Sequence, residues 1–378
     1  MSRSDGSRFD LPVTRREFAR RSGLVAVSVA GLSGVISACG GSDESKGTTG
    51  SGSGSKSLVF ATYGGAYGEA LQATFVDGFK KQAGIEVRLT QNTSLASLKK
   101  QIQAGALQWD IAELTGPEYE LAVEQGVPLE KLDLNVINTA NIPEYALKPT
   151  GYQYAYFLNV MTWDKRQVKK PPTTWAEFFD PKAYSVKRSL YDTISDSLVL
   201  EFAQLAQGVP MDKLYPLDFA HALKGIEQLP PDKVLWYSTS DQVIQQLQSR
   251  ESGLGMPPTG RVIAAAKKGA PLDFTPSQGG VTSDFLVVPK GAKNGAAAMK
   301  FLNFIANDVP SAAEFMKMTQ YGVANLKAVE ALPADVASNI PTNPALEGKI
   351  FFRDSAWWVQ NLETVAAEFQ AWQTKYGK

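Results

Sequence analysis

The strongest constraint on the fold is a strand–helix rhythm that starts at Leu58. Leu58–Ala61 is a short apolar run, and after it Leu71, Phe75 and Phe79 recur at i, i+4 and i+8, a core-facing helical stripe. Gly84 suits the C′ position of that helix. Ile85, Val87 and Leu89 then alternate as a strand. Ser94 caps the next helix, whose Leu95, Leu98 and Ile102 face inward until Gly105. Trp109–Ala112 reads as a third strand, followed by Thr115-Gly116-Pro117 and a helix over Glu118–Gln125. This alternation predicts a parallel sheet with helices on its faces. Ligands of such sheets sit beyond the carboxyl ends of the strands. Tyr63, Gly65, Tyr67, Ser94 and Thr115 at those ends are therefore candidate ligand-binding residues. Neither GxGxxG nor GxxxxGK[ST] is present, so nucleotide binding is rejected.

A second α/β region follows. Tyr152–Asn159 is an aromatic-rich strand suited to cross between two lobes, with Tyr156 a further candidate. Thr174 caps a helix. Ser189–Tyr191 is a strand leading into Asp192, a weaker candidate carboxylate, and then a long helix through Ala206. His221 lies on the next helix, Val234–Tyr237 is a strand, and Ser240 caps Asp241–Gln248.

The stretch Gly253–Pro289 then carries the chain back: a turn ending at Gly260-Arg261, a helical run Val262–Lys268 and a brief strand Leu272–Phe274. A break at Gly279-Gly280 precedes Asp284 and the apolar run Phe285–Val288. Arg261 and Asp284 are opposite charges beside backbone punctuation, where a ligand can approach closely. Helices are expected over Ala296–Ile305 and Ser311–Met318, and Trp358, Phe369 and Trp372 form a core stripe in the tail. The division expected is 57–157 with 281–325 as one lobe and 158–280 with 326–378 as the other.

Length and charge narrow the function. The 378 residues suffice for two cores, and 38 basic against 38 acidic residues argue against a nucleic-acid partner. Cys39 is the sole cysteine and His221 the sole histidine. Disulfides within the chain and Cys/His zinc sites are thereby excluded, and a serine–histidine–aspartate triad would depend on one helical histidine. No metal site and no cofactor is expected.

The amino terminus reads as an address. Arg15-Arg16-Glu17-Phe18, then Arg20-Arg21 and the apolar run Gly23–Ala38, form a secretory signal of twin-arginine type. The run is shorter than the roughly 20 residues of a permanent span. Ile36-Ser37-Ala38-Cys39 looks like a bacterial lipobox, with Cys39 the lipid-modified residue. Gly40–Ser55 is small and polar, a tether over 40–56. Periplasm or the outer face of the cytoplasmic membrane is the expected location, anchored rather than spanning.

Several segments resemble the extracellular solute-binding proteins of ABC importers, of the spermidine/putrescine type. They are Tyr63–Tyr67 (YGGAY), Trp109-Asp110-Ile111, Pro172–Phe178 (PTTWAEF), Lys268–Leu272 (KGAPL) and Gly279–Asn294, with Ala297–Ile305 and Tyr321–Asn325. Their order covers nearly all of the chain beyond the tether. The resemblance implies a type II periplasmic-binding-protein fold: two α/β lobes, two crossings, a ligand cleft and hinge closure. It implies a monomer without catalytic residues that delivers a small solute to membrane permease subunits.

Asp284 matches a ligand-binding aspartate of that family. The tryptophan such proteins carry just before it is missing; Thr282-Ser283 stands there. Pro257-Pro258-Thr259 replaces an aromatic turn, and Arg261 follows. An arginine repels a dication but grips a carboxylate. Arg261 with Asp284 thus points to a small zwitterion such as γ-aminobutyrate, beside the polyamines of the family pattern. Arg261 is alternatively solvated or paired with Asp284 across the hinge. An anion or metal cargo, or an extracytoplasmic hydrolase, are the other readings left open.

Overall fold

The computed structural model describes residues 57–195 and 197–377. The signal, Cys39 and the tether lie outside the described residues. Eleven strands are assigned among those described: β1 (Ser57–Ala61), β2 (Glu86–Thr90), β3 (Ile111–Thr115), β4 (Leu147–Lys148), β5 (Gly151–Asp164), β6 (Arg188–Tyr191), β7 (Val234–Tyr237), β8 (Leu254–Gly255), β9 (Leu272–Val287), β10 (Gly322–Val323) and β11 (Ile350–Phe352). They form one sheet of order β2-β1-β3-β9-β5-β8-β6-β7, with β4 and β10 beside β5 and β11 beside β9.

The first strands pair as the rhythm predicts, β1 parallel to both β2 and β3. The helix between β1 and β2 runs Gly65–Leu71, a π-helical turn Gln72–Val76, and Asp77–Ala83, closed by Gly84 at φ 66°. A strict four-residue repeat drifts by about 40° per step on an α-helix. The wider π turn takes up that drift, and Leu71, Phe75 and Phe79 all stay buried. The third strand lies slightly later than expected, at Ile111–Thr115, with Trp109 packed just before it.

Two long strands hold the sheet together. β5, 14 residues, and β9, 16 residues, pair antiparallel with register shifts between Gln153 and Ala155 and between Asn159 and Met161. The expected break at Gly279-Gly280 does not occur, because the glycines serve packing inside a continuous strand. A Cβ on Gly280 would lie 2.5 Å from Leu198 Cδ1 and 2.6 Å from Phe351 Cζ. Small size, not chain reversal, is what the position needs.

Apolar side chains separate into clusters on either side of these strands. One gathers Phe60, Phe75, Tyr154, Val160, Leu286 and Phe301. A second, under the other face of β3 and β9, gathers Ala112, Leu114, Tyr119 and Phe285. A third begins at Met161 and gathers Trp175, Leu190, Phe202, Val243 and Trp358. The segment 326–346 was assigned to the second lobe, yet its Ala328, Val329, Leu332, Ile340 and Leu346 join the first cluster. Pro333, Pro341 and Pro344 cut it into short pieces that carry no period by which to place it.

Two local expectations also change. The helix expected straight after Asp192 begins only at Val199 and runs to Ala206. Thr239, not Ser240, caps the helix Ser240–Gln248, its side chain accepting from Gln242 N. Both residues can cap, and Thr239 is the one with extended backbone. No described helix is long and apolar enough to cross a membrane.

Candidate functional site

A cleft of about 400 Å³ opens where the carboxyl ends of β1, β3 and β6 meet β5 and β9. Tyr63 and Tyr67 enter from the β1 end and the following helix, Thr115 from the end of β3, and Tyr191 from the end of β6. Phe157 of β5 and Thr282, Ser283 and Asp284 of β9 contribute from the long strands. Ser240, Arg261, Tyr321, Arg353 and Ser355 complete the lining. This placement follows the strand-end rule for open α/β sheets.

The aromatic residues form a connected wall. Tyr67 lies 6.1 Å from both Tyr63 and Tyr321 and 6.3 Å from Phe157, ring centre to ring centre. Phe157 meets Tyr321 edge-on at 4.6 Å. Such a wall takes methylene groups and gives an ammonium a π face to rest against.

Two charges of opposite sign border it. Asp284 is 5% exposed and sits on β9 opposite Thr115 of β3 and Ala155 of β5. Arg261 occupies the first turn of the helix Thr259–Lys267. Its Nη1 donates to Asp241 Oδ1 at 3.1 Å, and its guanidinium also donates to the Tyr321 hydroxyl. Burial raises the Tyr321 hydroxyl's pKa, while the neighbouring Arg261 pulls it back. Gly260 permits this approach: a Cβ there would stand 2.2 Å from Thr319 O and 2.8 Å from Tyr321 Cε1. Asp241 is thus an ion-pair partner of Arg261.

Below Asp284 lies Glu113, fully buried. It accepts from Thr62 Oγ1, from Tyr67 Oη at 2.6 Å and from Tyr154 Oη at 2.8 Å. Burial raises its carboxyl above the ordinary range, against the opposing pull of those hydroxyls and of Asp284. On the far wall Arg353 is held by carbonyls, Nη2 donating to Ile194 O at 2.7 Å and Nη1 to Ser195 O. Its guanidinium lies 4.3 Å from the Trp358 ring centre.

The expected residues divide cleanly. Tyr63, Tyr67, Thr115, Arg261 and Asp284 line the cleft together. Gly65 lines the neighbouring hollow, where its φ of 64° starts a helix, while Gly64 borders the cleft. Ser94 is spent on capping, accepting from Ser97 N at 3.1 Å. Tyr156 is buried, its hydroxyl donating to Gln153 O at 3.2 Å, and Asp192 accepts from Ser238 Oγ at 2.8 Å. Neither Ser94, Tyr156 nor Asp192 is among the lining residues. Thr115 does both jobs, capping the helix Gly116–Glu124 in a capping box with Glu118.

Phe157 and Tyr191 were missed by a single residue each. Successive strand residues face opposite sides, so choosing Tyr156 over Phe157 selects the wrong face. Taking the acid Asp192 over the strand's last residue, Tyr191, ignores the strand-end rule already applied to β1 and β3. Arg353 and Glu113 carried no local signal, and Tyr321 stood out only as the start of a family-like segment, since their roles depend on contacts distant in sequence.

A larger hollow of about 760 Å³, bordered by Tyr145, Leu326 and Phe352, shares Arg353 and Ser355 with the cleft. The smaller cleft is the better candidate because the strand ends, the aromatic wall and both charges converge there.

Residues 74–347 match the family model described as bacterial extracellular solute-binding protein. The chain is 27% identical over 329 residues to a gamma-aminobutyric acid-binding protein of Pseudomonas aeruginosa, spanning 85% of this chain and 92% of that one. It is 29% identical over 181 residues to the spermidine/putrescine-binding periplasmic protein of Escherichia coli, across 47% of this chain and 50% of that one. Among solved structures, an ABC transporter substrate-binding protein from Bradyrhizobium japonicum superposes with a TM-score of 0.78. That pair is 30% identical, over 85% of this chain and 99% of the other.

Proposed function

The chain belongs to the bacterial extracellular solute-binding protein family, and from that premise we propose that its cleft captures a small zwitterion. The cargo is an amino acid with separated charges, such as γ-aminobutyrate, delivered to the permease of an ABC importer. One observation carries this reading: Asp284 and Arg261 border the same aromatic-walled cleft. The ligand's ammonium rests on Asp284 and the tyrosine faces. Its carboxylate takes the Arg261 guanidinium from Asp241, an exposed pair of the kind that contributes only about 0–1 kcal/mol. The similarity to a γ-aminobutyrate-binding protein over most of both chains supports the same class.

Two lobes divided along β5 and β9 close on the ligand, with the apolar clusters separating between Val160 and Met161. The segment 326–346 goes with the first lobe, by its packing. The protein works as a monomer outside the cytoplasm, exported by its amino-terminal signal and lipid-anchored through Cys39.

Other readings fare less well. A polyamine needs carboxylates for its ammonium groups, and Arg261 opposes a second positive charge. Tyr63, Tyr67, Tyr191 and Tyr321 converge as an anion or metal site would want, but Asp284 stands among them. A hydrolase of the two-carboxylate kind holds its acids about 5 Å or more apart around the scissile bond, whereas Glu113 and Asp284 are in hydrogen-bond contact.

Calorimetric titration with γ-aminobutyrate, putrescine, spermidine, common amino acids and small anions tests the reading. Tight zwitterion binding that weakens in both Arg261→Ala and Asp284→Ala supports it. Tight polyamine binding indifferent to Arg261→Ala sinks it.

A further inference from the structure

The charged side chains that line the cleft are Asp284, Arg261 and Arg353, and a simple zwitterion leaves Arg353 without a role. Arg353 directly follows β11, and its backbone N–H donates to Val281 O at 2.9 Å. From Val281 to Asp284 along β9 is about 10 Å at the usual strand rise, so both charges can act on one small ligand. The Arg353 side chain is 2% exposed. Its terminal nitrogens donate to Ile194 O and Ser195 O, and its guanidinium rests 4.3 Å from the Trp358 ring centre.

That guanidinium is held but not saturated. It carries more N–H groups than the two carbonyls use, and among the described residues its Nε has no hydrogen-bond partner. Glu201 stands 3.8 Å from Nε, beyond hydrogen-bond reach. Its Oε1 is taken by Tyr215 Oη at 2.6 Å and Trp358 Nε1 at 2.8 Å. Glu201 therefore offsets part of the charge without occupying the donors. A buried cation with open donors at the wall of a cleft suits an oxyanion, and its planar fork matches a carboxylate. Ser355 lines the cleft at the first turn of the helix Ser355–Tyr376, where the helix dipole also favours negative charge. Asp354 caps that helix, accepting from Trp357 N at 2.9 Å, and is not among the lining residues. Arg353 and Ser355 border the larger hollow as well, which leaves room for a bulkier ligand at this end.

Resting on the zwitterion reading above, we infer that Arg353 is a second carboxylate site and that the preferred cargo carries one amine and two acidic groups. The ammonium meets Asp284, one carboxylate meets Arg261 and the other meets Arg353. An amino dicarboxylate matches one acid and two guanidinia more completely than γ-aminobutyrate does. Arg353 is thus a specificity-determining residue, favouring a second acid and repelling a second ammonium. Attachment at three points also makes the cleft sensitive to the ligand's hand.

Glutamate is the probe, because it is γ-aminobutyrate with one more carboxylate. Calorimetry should show one hand of glutamate binding at least about tenfold tighter than γ-aminobutyrate. Arg353→Gln should erase that advantage while γ-aminobutyrate affinity stays within about threefold. If Arg353→Gln fails to fold, Arg353→Lys keeps the cation without the fork and should lose most of the advantage. A native protein that binds γ-aminobutyrate as tightly as either hand of glutamate overturns the inference, as does an advantage that survives in the folded variant. A second measurement needs no amine: arginine side-chain NMR of the native protein titrated with succinate. The Arg353 resonance, assigned by its loss in Arg353→Lys, should shift saturably with succinate and not with chloride at equal ionic strength. An unmoved resonance overturns the inference. Silence toward every amino acid would sink the zwitterion reading, and the succinate shift would then decide the Arg353 site alone.

Discussion

Asp284 and Arg261 carry opposite charges at one cleft, yet they are held in opposite ways. Asp284 is in mid-strand, between β3 and β5, 5% exposed, with the Glu113 carboxyl against it. Arg261 is on the first turn of a surface helix, its side chain 41% exposed and its partner Asp241 79% exposed. A buried charge that loses its partner leaves a desolvated ion behind; an exposed pair exchanges partners with water at little cost. The buried end is therefore fixed in place and selective, while the exposed end can release Asp241 and take a ligand carboxylate.

The largest effect should come from breaking the buried end. Asp284→Asn removes the ammonium's partner from an enclosed site, where truncating one side of a charge pair costs about 2–5 kcal/mol. Calorimetry should show γ-aminobutyrate binding weakened by about a hundredfold or more. A loss under about tenfold would mean that the aromatic wall, not the acid, holds the ammonium. Arg261→Gln should cost less, about tenfold or ~1.4 kcal/mol, because water and nearby donors partly replace an exposed guanidinium. Equal losses at the two positions would erase the contrast.

The same contrast explains how much was readable in advance. The strand–helix rhythm placed β1, β2 and β3 because each is patterned locally, and the strand-end rule then located Tyr63, Tyr67 and Thr115 at the cleft. Arg261 and Asp284 stood out as charges beside glycines. Glu113 did not, because an acid inside an apolar strand shows its purpose only through Thr62, Tyr67 and Tyr154. The strand-end rule also selected Ser94, and Asp192 was chosen as an acid, but local hydrogen bonds occupy both. The continuity of β9 through Gly279-Gly280 was hidden for a related reason. Glycine marks both turns and close packing, and only Leu198 and Phe351, far away in sequence, decide between them.

The acid beneath the cleft also bears on stability, and here the sign can be stated. A carboxyl whose pKa is raised by folding binds its proton more tightly in the native state. Its contribution is fully present below the unfolded glutamate pKa, about 4.3, and is lost as pH rises through the raised native value. Urea unfolding of the ligand-free protein should show native stability falling with pH above the ordinary carboxylate range. The profile of Glu113→Gln should fall less. Parallel profiles would mean that other groups set the slope.

The smallest expected effect is at Asp241, and it probes the exposed end most directly. If Arg261 must leave Asp241 to take the ligand's carboxylate, Asp241→Asn removes a competitor and should tighten γ-aminobutyrate binding by about two- to threefold, the scale of an exposed pair. The gain should shrink in high salt, which already screens that pair. If Asp241 instead orients Arg261 toward the cleft through the Nη1 contact, the same change should weaken binding, and the weakening should disappear in an Arg261→Gln background. The sign of one modest shift thus separates an arginine that exchanges partners from one held in place by its aspartate. Only the first leaves the exposed end as pliable as its exposure implies.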